Sequence, residues 1–163
     1  MNKTTRKAVF EKYSGLCAYT GKPLGDDWQI DHVISKKKHE YLCWQKKRND
    51  PDFNYPEELR KADDICNLMP TCRIVNHYKR ELDLEGFRLH MKDFHKRLAK
   101  LPKKTRVPAT ERRKQYMYTL AELFGIDADK PFSGVFYFET LNTNKTDELT
   151  NKQDEQGTGV LND

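Results

Sequence analysis

A chain of 163 residues is about the size of one domain and can bury a core without disulfides. Only 36% of it is hydrophobic, its mean hydropathy is -0.95, and no run approaches the roughly 18 apolar residues of a membrane span, which excludes a membrane-spanning protein. The formal net charge of +5 is uneven: from Glu139 onward six acids face Lys145 and Lys152, whereas Gly86 to Lys114 holds eleven Lys or Arg against Asp93 and Glu111. Such a surplus attracts polyanions, with nucleic acid the commonest partner, although a solvated helix face gives the same composition.

Thr4 or Thr5 can cap a first helix running to about Tyr13, with Val9 and Phe10 inward, and Ser14-Gly15 ends it. Leu16 to Leu24 form a small knuckle that turns at Gly21 and Pro23. Trp28 to Ile34 alternates enough for a short strand, on which Asp31 and His32 project to opposite sides unless the chain bends. Ser35 to Asp52 has no clear periodicity. It interleaves Lys36-Lys37-Lys38 and Lys46-Lys47-Arg48 with Tyr41 and Trp44, a mixture that suits phosphate and base contact and equally suits a plain surface loop. Pro56 to Ala62 begins a short helix with acids in its first turn.

Asn67 to Thr71 reads as extended, and Thr71 can cap a helix from Cys72 to about Leu82, with Asn76 and Lys79 one turn apart. Leu84, Phe87, Met91, Phe94, Leu98 and Leu101 alternate steps of three and four, which predicts one long amphipathic helix with core-facing apolar residues; His90 and His95 on it read as surface or packing residues. A basic linker, Pro102 to Pro108, leads to a helix capped near Thr110 and ending at Gly125. Ser133 to Phe138 looks like a late strand or an extended arm packed on the body, and after Leu141 the acidic composition predicts a disordered tail. The four cysteines, Cys17, Cys43, Cys66 and Cys72, follow no signal-peptide pattern, which points to a reducing, cytoplasmic setting.

The chemistry concentrates between Ile30-Asp31-His32-Val33-Ile34 and Cys72-Arg73-Ile74-Val75-Asn76-His77-Tyr78-Lys79. Phosphodiester hydrolysis needs a base for the attacking water, positive charge on the developing phosphorane, and help for the leaving oxygen. A hard cation such as Mg²⁺ keeps several waters and needs few protein oxygens, which Asp31 and Asn76 could supply. His32 could act as general base near neutral pH, and Asn67 could orient the loop or the imidazole.

The order Asp31-His32, Asn67-Leu68 and Asn76 resembles the HNH endonuclease family, whose site is a ββα-metal finger. Many members read Cys-x-x-Cys-Asn-x-x-Lys in the finger helix, and Cys72 to Lys79 keeps every fixed place except Val75. The resemblance covers about residues 10–82 and implies an α+β fold, an HNH core followed by a helical extension over about 84–125, all within one domain spanning 1–140. It implies His32 as general base, Asp31 and Asn76 holding one divalent metal ion, Mg²⁺ or Mn²⁺, and a largely structural Asn67. It further implies hydrolysis of DNA leaving a 5′-phosphate, and a kind of compact protein often found in phages and other mobile elements.

Two features depart from the family pattern. Many members bind structural zinc through two Cys-x-x-Cys pairs, but here Thr20 and Val75 stand where second cysteines would be, so structural zinc is not expected. The last ligand position is Asn76, not His; His77 is about 100° away around a helix and should point elsewhere. Lys36, Lys37, Lys38, Lys79 and Arg80 are candidate phosphate contacts to DNA, with RNA as an alternative substrate, and the helices from Leu84 to Gly125 are a candidate homodimer surface, a specificity element or a completion of the core. The competing readings are a catalytically inactive nucleic-acid-binding module on the same fold, and an interaction protein using the acidic tail.

Overall fold

The computed structural model describes residues 2–141, so the expected disordered tail, 142–163, lies outside the described residues. The architecture is α+β: a two-stranded antiparallel sheet with helices around it. Helix α1 (Lys3–Glu11) is capped by Asn2, whose side chain accepts from the Thr5 amide at 2.7 Å. The helix therefore starts ahead of Thr4 because a stronger capping residue precedes it. Val9 is buried, whereas Phe10 lies at the edge against Trp28, ring centroids 5.6 Å apart. Ser14 and Gly15, at φ 52° and 75°, stop the helix.

The following knuckle is closed by the Leu16–Pro23 bridge and by the Cys17 amide bonded to the Lys22 carbonyl at 2.8 Å. Gly21 has φ +67°, and a β-carbon there would lie 2.7 Å from the Tyr137 ring, so only glycine fits the turn. Strand β1 (Gln29–His32) pairs antiparallel with β2 (Leu68–Thr71) in the register Gln29–Thr71, Ile30–Pro70, Asp31–Met69, His32–Leu68. Every residue of β2 is buried, and the Pro70 carbonyl takes the Ala18 amide at 2.8 Å.

Between the strands lie α2 (Lys36–Asn49), α3 (Tyr55–Arg60) and two 3-10 turns, Lys61–Asp63 and Ile65–Asn67. The stretch from Ser35 to Asp52 has no clear apolar periodicity, yet most of it is α2. This helix is capped by Ser35, with Cys43 buried and His39 Nε2 bonded to the Glu58 carbonyl at 2.7 Å. Helix α4 (Arg73–Lys79) follows β2 directly. It is shorter at both ends than expected: Thr71 is enclosed in β2 and provides no cap, and Arg80 leaves the helix at φ 55°.

The predicted long helix from Leu84 divides into α5 (Leu84–Lys92) and α6 (Phe94–Ala99) at Asp93. The apolar repeat still faces inward, because Phe87, Met91, Phe94 and Leu98 are all buried. Helix α7 (Pro108–Phe124) ends on Gly125 in the left-handed region at φ 62°. Residues 133–136 form an extended arm and residues 137–141 are helical, so the alternative of a late strand does not hold. The arm is pinned by the Phe138 amide to the Ala18 carbonyl at 2.9 Å. Cys17, Tyr19, Met69 and Val75 share one apolar core with Phe87, Met91, Leu120 and Phe136, so the later helices brace the sheet and α4. Among the described residues no helix is long and apolar enough to cross a membrane.

Candidate functional site

Alternation along β1 sends Asp31 and His32 to opposite sides, as the pleat requires. Asp31 turns inward and is 4% exposed. Its two carboxylate oxygens lie 3.1 and 3.0 Å from Lys79 Nζ, and the Tyr19 hydroxyl donates to Oδ2. Lys79 also donates to the His32 carbonyl at 3.1 Å. Burial raises the Asp31 carboxyl above its ordinary value, opposed by the Lys79 ammonium and the Tyr19 hydroxyl. Burial, with the Asp31 charge added, pushes the Tyr19 phenol well up. Lys79, a candidate phosphate contact by sequence, has no solvent exposure at all; one turn after Asn76 on the inner side of α4, it neutralises Asp31 instead.

Asn76 faces the same strand, its amide donating to Gln29 Oε1 at 2.7 Å. His77 points to α7, with Nδ1 3.1 Å from the Tyr116 hydroxyl, so it does not share Asn76's surroundings. Gln29 and Asp31, two residues apart on one side of β1, thus meet Asn76 and Lys79, three apart on one side of α4. Among the described residues no group of three or more His, Cys, Asp or Glu could hold a metal ion. A metal here would rest on Asp31 and amide oxygens. A carboxylate offers about four acceptor positions, and Tyr19 and Lys79 occupy three. The remaining position and Asn76 Oδ1 would supply hard oxygen donors of the kind Mg²⁺ or Mn²⁺ accepts while keeping most of its waters. The donor types fit such an ion.

His32 lies on the other side of β1, its side chain 19% exposed, with Nε2 2.9 Å from Asp63 Oδ1. The second Asp63 oxygen accepts from Lys36 at 2.8 Å. Lys36 first and His32 second hold the Asp63 carboxyl below the usual carboxylate range. An ionised carboxylate only accepts, so Nε2 carries the hydrogen in this contact, and in a neutral ring the lone pair is then on Nδ1. Asp63 escaped sequence reasoning because it belongs to no motif; its position four residues before Asn67 was the available signal.

Asn67 does not touch the imidazole. Its Oδ1 accepts from the Ile34 amide at 2.8 Å, and its Nδ2 donates to the Ile34 and Ala62 carbonyls at 3.0 and 2.8 Å. It therefore fastens the segment leaving His32 to the turn carrying Asp63. Asn67→Ala removes three hydrogen bonds and should lower stability by roughly 2–3 kcal/mol at about 1 kcal/mol each, read as a lower urea midpoint with unchanged slope. An unchanged midpoint would contradict this role.

The lysines at the start of α2 are all engaged: Lys36 with Asp63, Lys37 with Glu81 at 3.6 Å, and Lys38 with Asp83. They bind α2 to the body as well as carrying charge. Arg80 remains exposed beside a hollow of about 820 Å³ lined by His77, Tyr78, Glu81, Leu82 and His90. Cys17 and Cys72, the two cysteines that remain of the family's zinc pairs, lie close together. The interaction of the two thiols lowers Cys17 against the effect of burial, with lesser help from Thr20, and raises Cys72. Cys17 and Val75 lie fully inside the core. Comparison of the chain with models of known protein families, with curated proteins and with solved structures returns no match.

Proposed function

We propose that this protein is a metal-dependent endonuclease of the HNH type that hydrolyses phosphodiester bonds in DNA. The observation that supports the reading is the meeting of β1 with α4: Asn76 bonds Gln29 and Lys79 bonds Asp31 across that junction, and His32, next to Asp31, has a ring nitrogen, Nδ1, without a hydrogen-bond partner among the described residues at a partly open surface. The order Asp31, His32, Asn67, Asn76 and the antiparallel strands followed by a helix match what the family resemblance implies.

His32 Nδ1 takes the proton of the attacking water, and Asp63 stabilises the imidazolium that results, because its carboxylate already accepts from Nε2. Lys36 keeps Asp63 ionised for that purpose. Asn67 holds the backbone on both sides of this pair in place. Asp31 and Asn76 would hold the divalent ion, which when bound supplies positive charge to the phosphate and the leaving oxygen. Exposed basic residues, Arg80 among them, attract the phosphate backbone.

A mixture of supercoiled plasmid, protein and Mg²⁺ or Mn²⁺ should yield nicked circles, and wild type and His32→Ala behaving alike would end the proposal. Asp63→Ala should slow nicking about 10- to 100-fold, the usual effect of removing a partner that orients a site group, yet add little in a His32→Ala background. Equal losses in both backgrounds would assign Asp63 a role separate from His32. The Asp63 contacts also carry a pH dependence: with its folded pKa depressed, their contribution is complete above the ordinary carboxylate value and is lost as pH falls through the depressed one.

A second reading is favoured by one observation. The Asp31 carboxylate is already neutralised by Lys79 and nearly closed to solvent, as in a nucleic-acid-binding module that has lost turnover. Titration with Mn²⁺ separates the two readings, since the inactive module should bind no ion that Asp31→Asn removes.

A further inference from the structure

The outer side of α2 carries a group of residues that neither the core nor the catalytic pair uses. Tyr41 and Trp44 are 54% and 46% exposed, and their rings lie 6.1 Å apart, inclined by 24°. The Arg48 guanidinium covers Trp44 at 4.9 Å from the ring centroid, and Gln45 donates to the Tyr41 hydroxyl at 2.8 Å. Spacings of three and four residues align these side chains along one stripe. With Asn49 they line an open hollow of about 560 Å³. The opposite side of the helix is already occupied, with Cys43 buried and His39 bonded to the Glu58 carbonyl. Packing therefore does not account for two large aromatic rings on the solvent side.

We propose that this stripe is a stacking platform for the unpaired bases of single-stranded nucleic acid. The proposal rests on the reading that the substrate is nucleic acid, and it adds the form of that substrate. Charge selects the class of partner: α2 holds six Lys or Arg against Glu40 alone. Lys36, Lys37 and Lys38 are paired with acids at its start. Lys46, Lys47 and Arg48 form no ion pair among the described residues, and they lie at the end that carries the aromatic hollow. An apolar protein surface would satisfy the rings and leave these cations without a counter-charge, whereas a nucleic acid strand offers bases to the rings and phosphates to the cations.

Strand form follows from geometry. A duplex hides the faces of its bases and offers edges and phosphates, so it gives Trp44 and Tyr41 nothing to stack on; unpaired bases expose their faces. Gln45 and Asn49 stand at the rim of the hollow as donors and acceptors for base edges. Helix α2 begins four residues after His32, and Lys36 ties it to the same Asp63 that holds the imidazole, so a strand on the platform leads toward His32.

The test uses the full chain in EDTA, which separates binding from cleavage. Trp28→Phe leaves Trp44 as the single tryptophan, since the chain has two. Titration with a fluorescein-labelled oligo(dT) and a duplex of equal length, read by anisotropy and by Trp44 emission, should show saturable quenching with the single strand only. Trp44→Ala should weaken oligo(dT) binding about 10-fold or more, Tyr41→Ala should weaken it in the same direction, and Trp44→Phe should restore most of it, all with unchanged far-UV circular dichroism. Absence of quenching, equal binding of Trp44→Ala and wild type, or duplex and single strand bound alike through Trp44 would each overturn the proposal. His32→Ala should keep the quenching. Quenching without metal-dependent cleavage of either plasmid or oligo(dT) would leave the platform standing and remove the nuclease reading, whereas cleavage without quenching would do the reverse.

Discussion

His32→Ala should reduce the rate of plasmid nicking by about 100- to 10,000-fold, the usual contribution of a positioned general base. The loss should be one of chemistry and not of folding. Among the described residues the imidazole makes one side-chain hydrogen bond, to a half-exposed Asp63, so stability should fall by no more than an exposed pair is worth, about 0–1 kcal/mol. The useful comparison is therefore rate against midpoint in the same preparation. A variant that cuts normally removes His32 from the mechanism. One that neither cuts nor melts like wild type would show that the imidazole is structural.

Lys79→Met should be the most damaging single change to stability. Methionine matches the straight stem of lysine but leaves the Asp31 carboxylate buried beside a hydroxyl alone. Breaking a buried pair from one side costs about 3–5 kcal/mol, and for a chain of this length that is a fall of roughly 10 °C in Tm. Asp31→Asn combined with Lys79→Met should recover much of the loss, because two neutral side chains carry no unpaired charge. Burial raises the Asp31 carboxyl and Lys79 opposes that rise. Without Lys79 the deficit should shrink in acid, where the carboxyl is protonated in both states, and be complete at neutral pH. A deficit independent of pH would mean that lost packing, not lost charge, is the cause.

The α+β class followed only from the family resemblance, whereas the inward residues of α5 and α6 were legible because apolar spacing of three and four survives any detail of tertiary contact. The break at Asp93 was not, since the repeat passes through it in phase. Helix α2 stayed hidden for the opposite reason: six Lys or Arg and one buried residue leave almost no apolar repeat to read, and the helix is held by ion pairs to Asp63, Glu81 and Asp83. At the candidate site, the order of Asp31, His32, Asn67 and Asn76 was legible as a pattern. The neutralisation of Asp31 by Lys79 was not, because lysine in the last turn of a helix normally reaches solvent. The signal lay in its place three residues after Asn76, which puts both on the side that meets β1.

The contacts that build the site join distant parts of the chain: Asp31 and Lys79 are 48 residues apart, Gln29 and Asn76 are 47, and His32 and Asp63 are 31. Closing loops of that length costs entropy before any contact compensates it, so during folding these pairings follow the local helices. A carboxylate entering the interior ahead of its ammonium would meet the whole desolvation cost alone. β1 and α4 should therefore dock in one cooperative step, and a newly made chain should bring Asp31, His32 and Asn76 into their final places last, after the scaffold that positions them has formed.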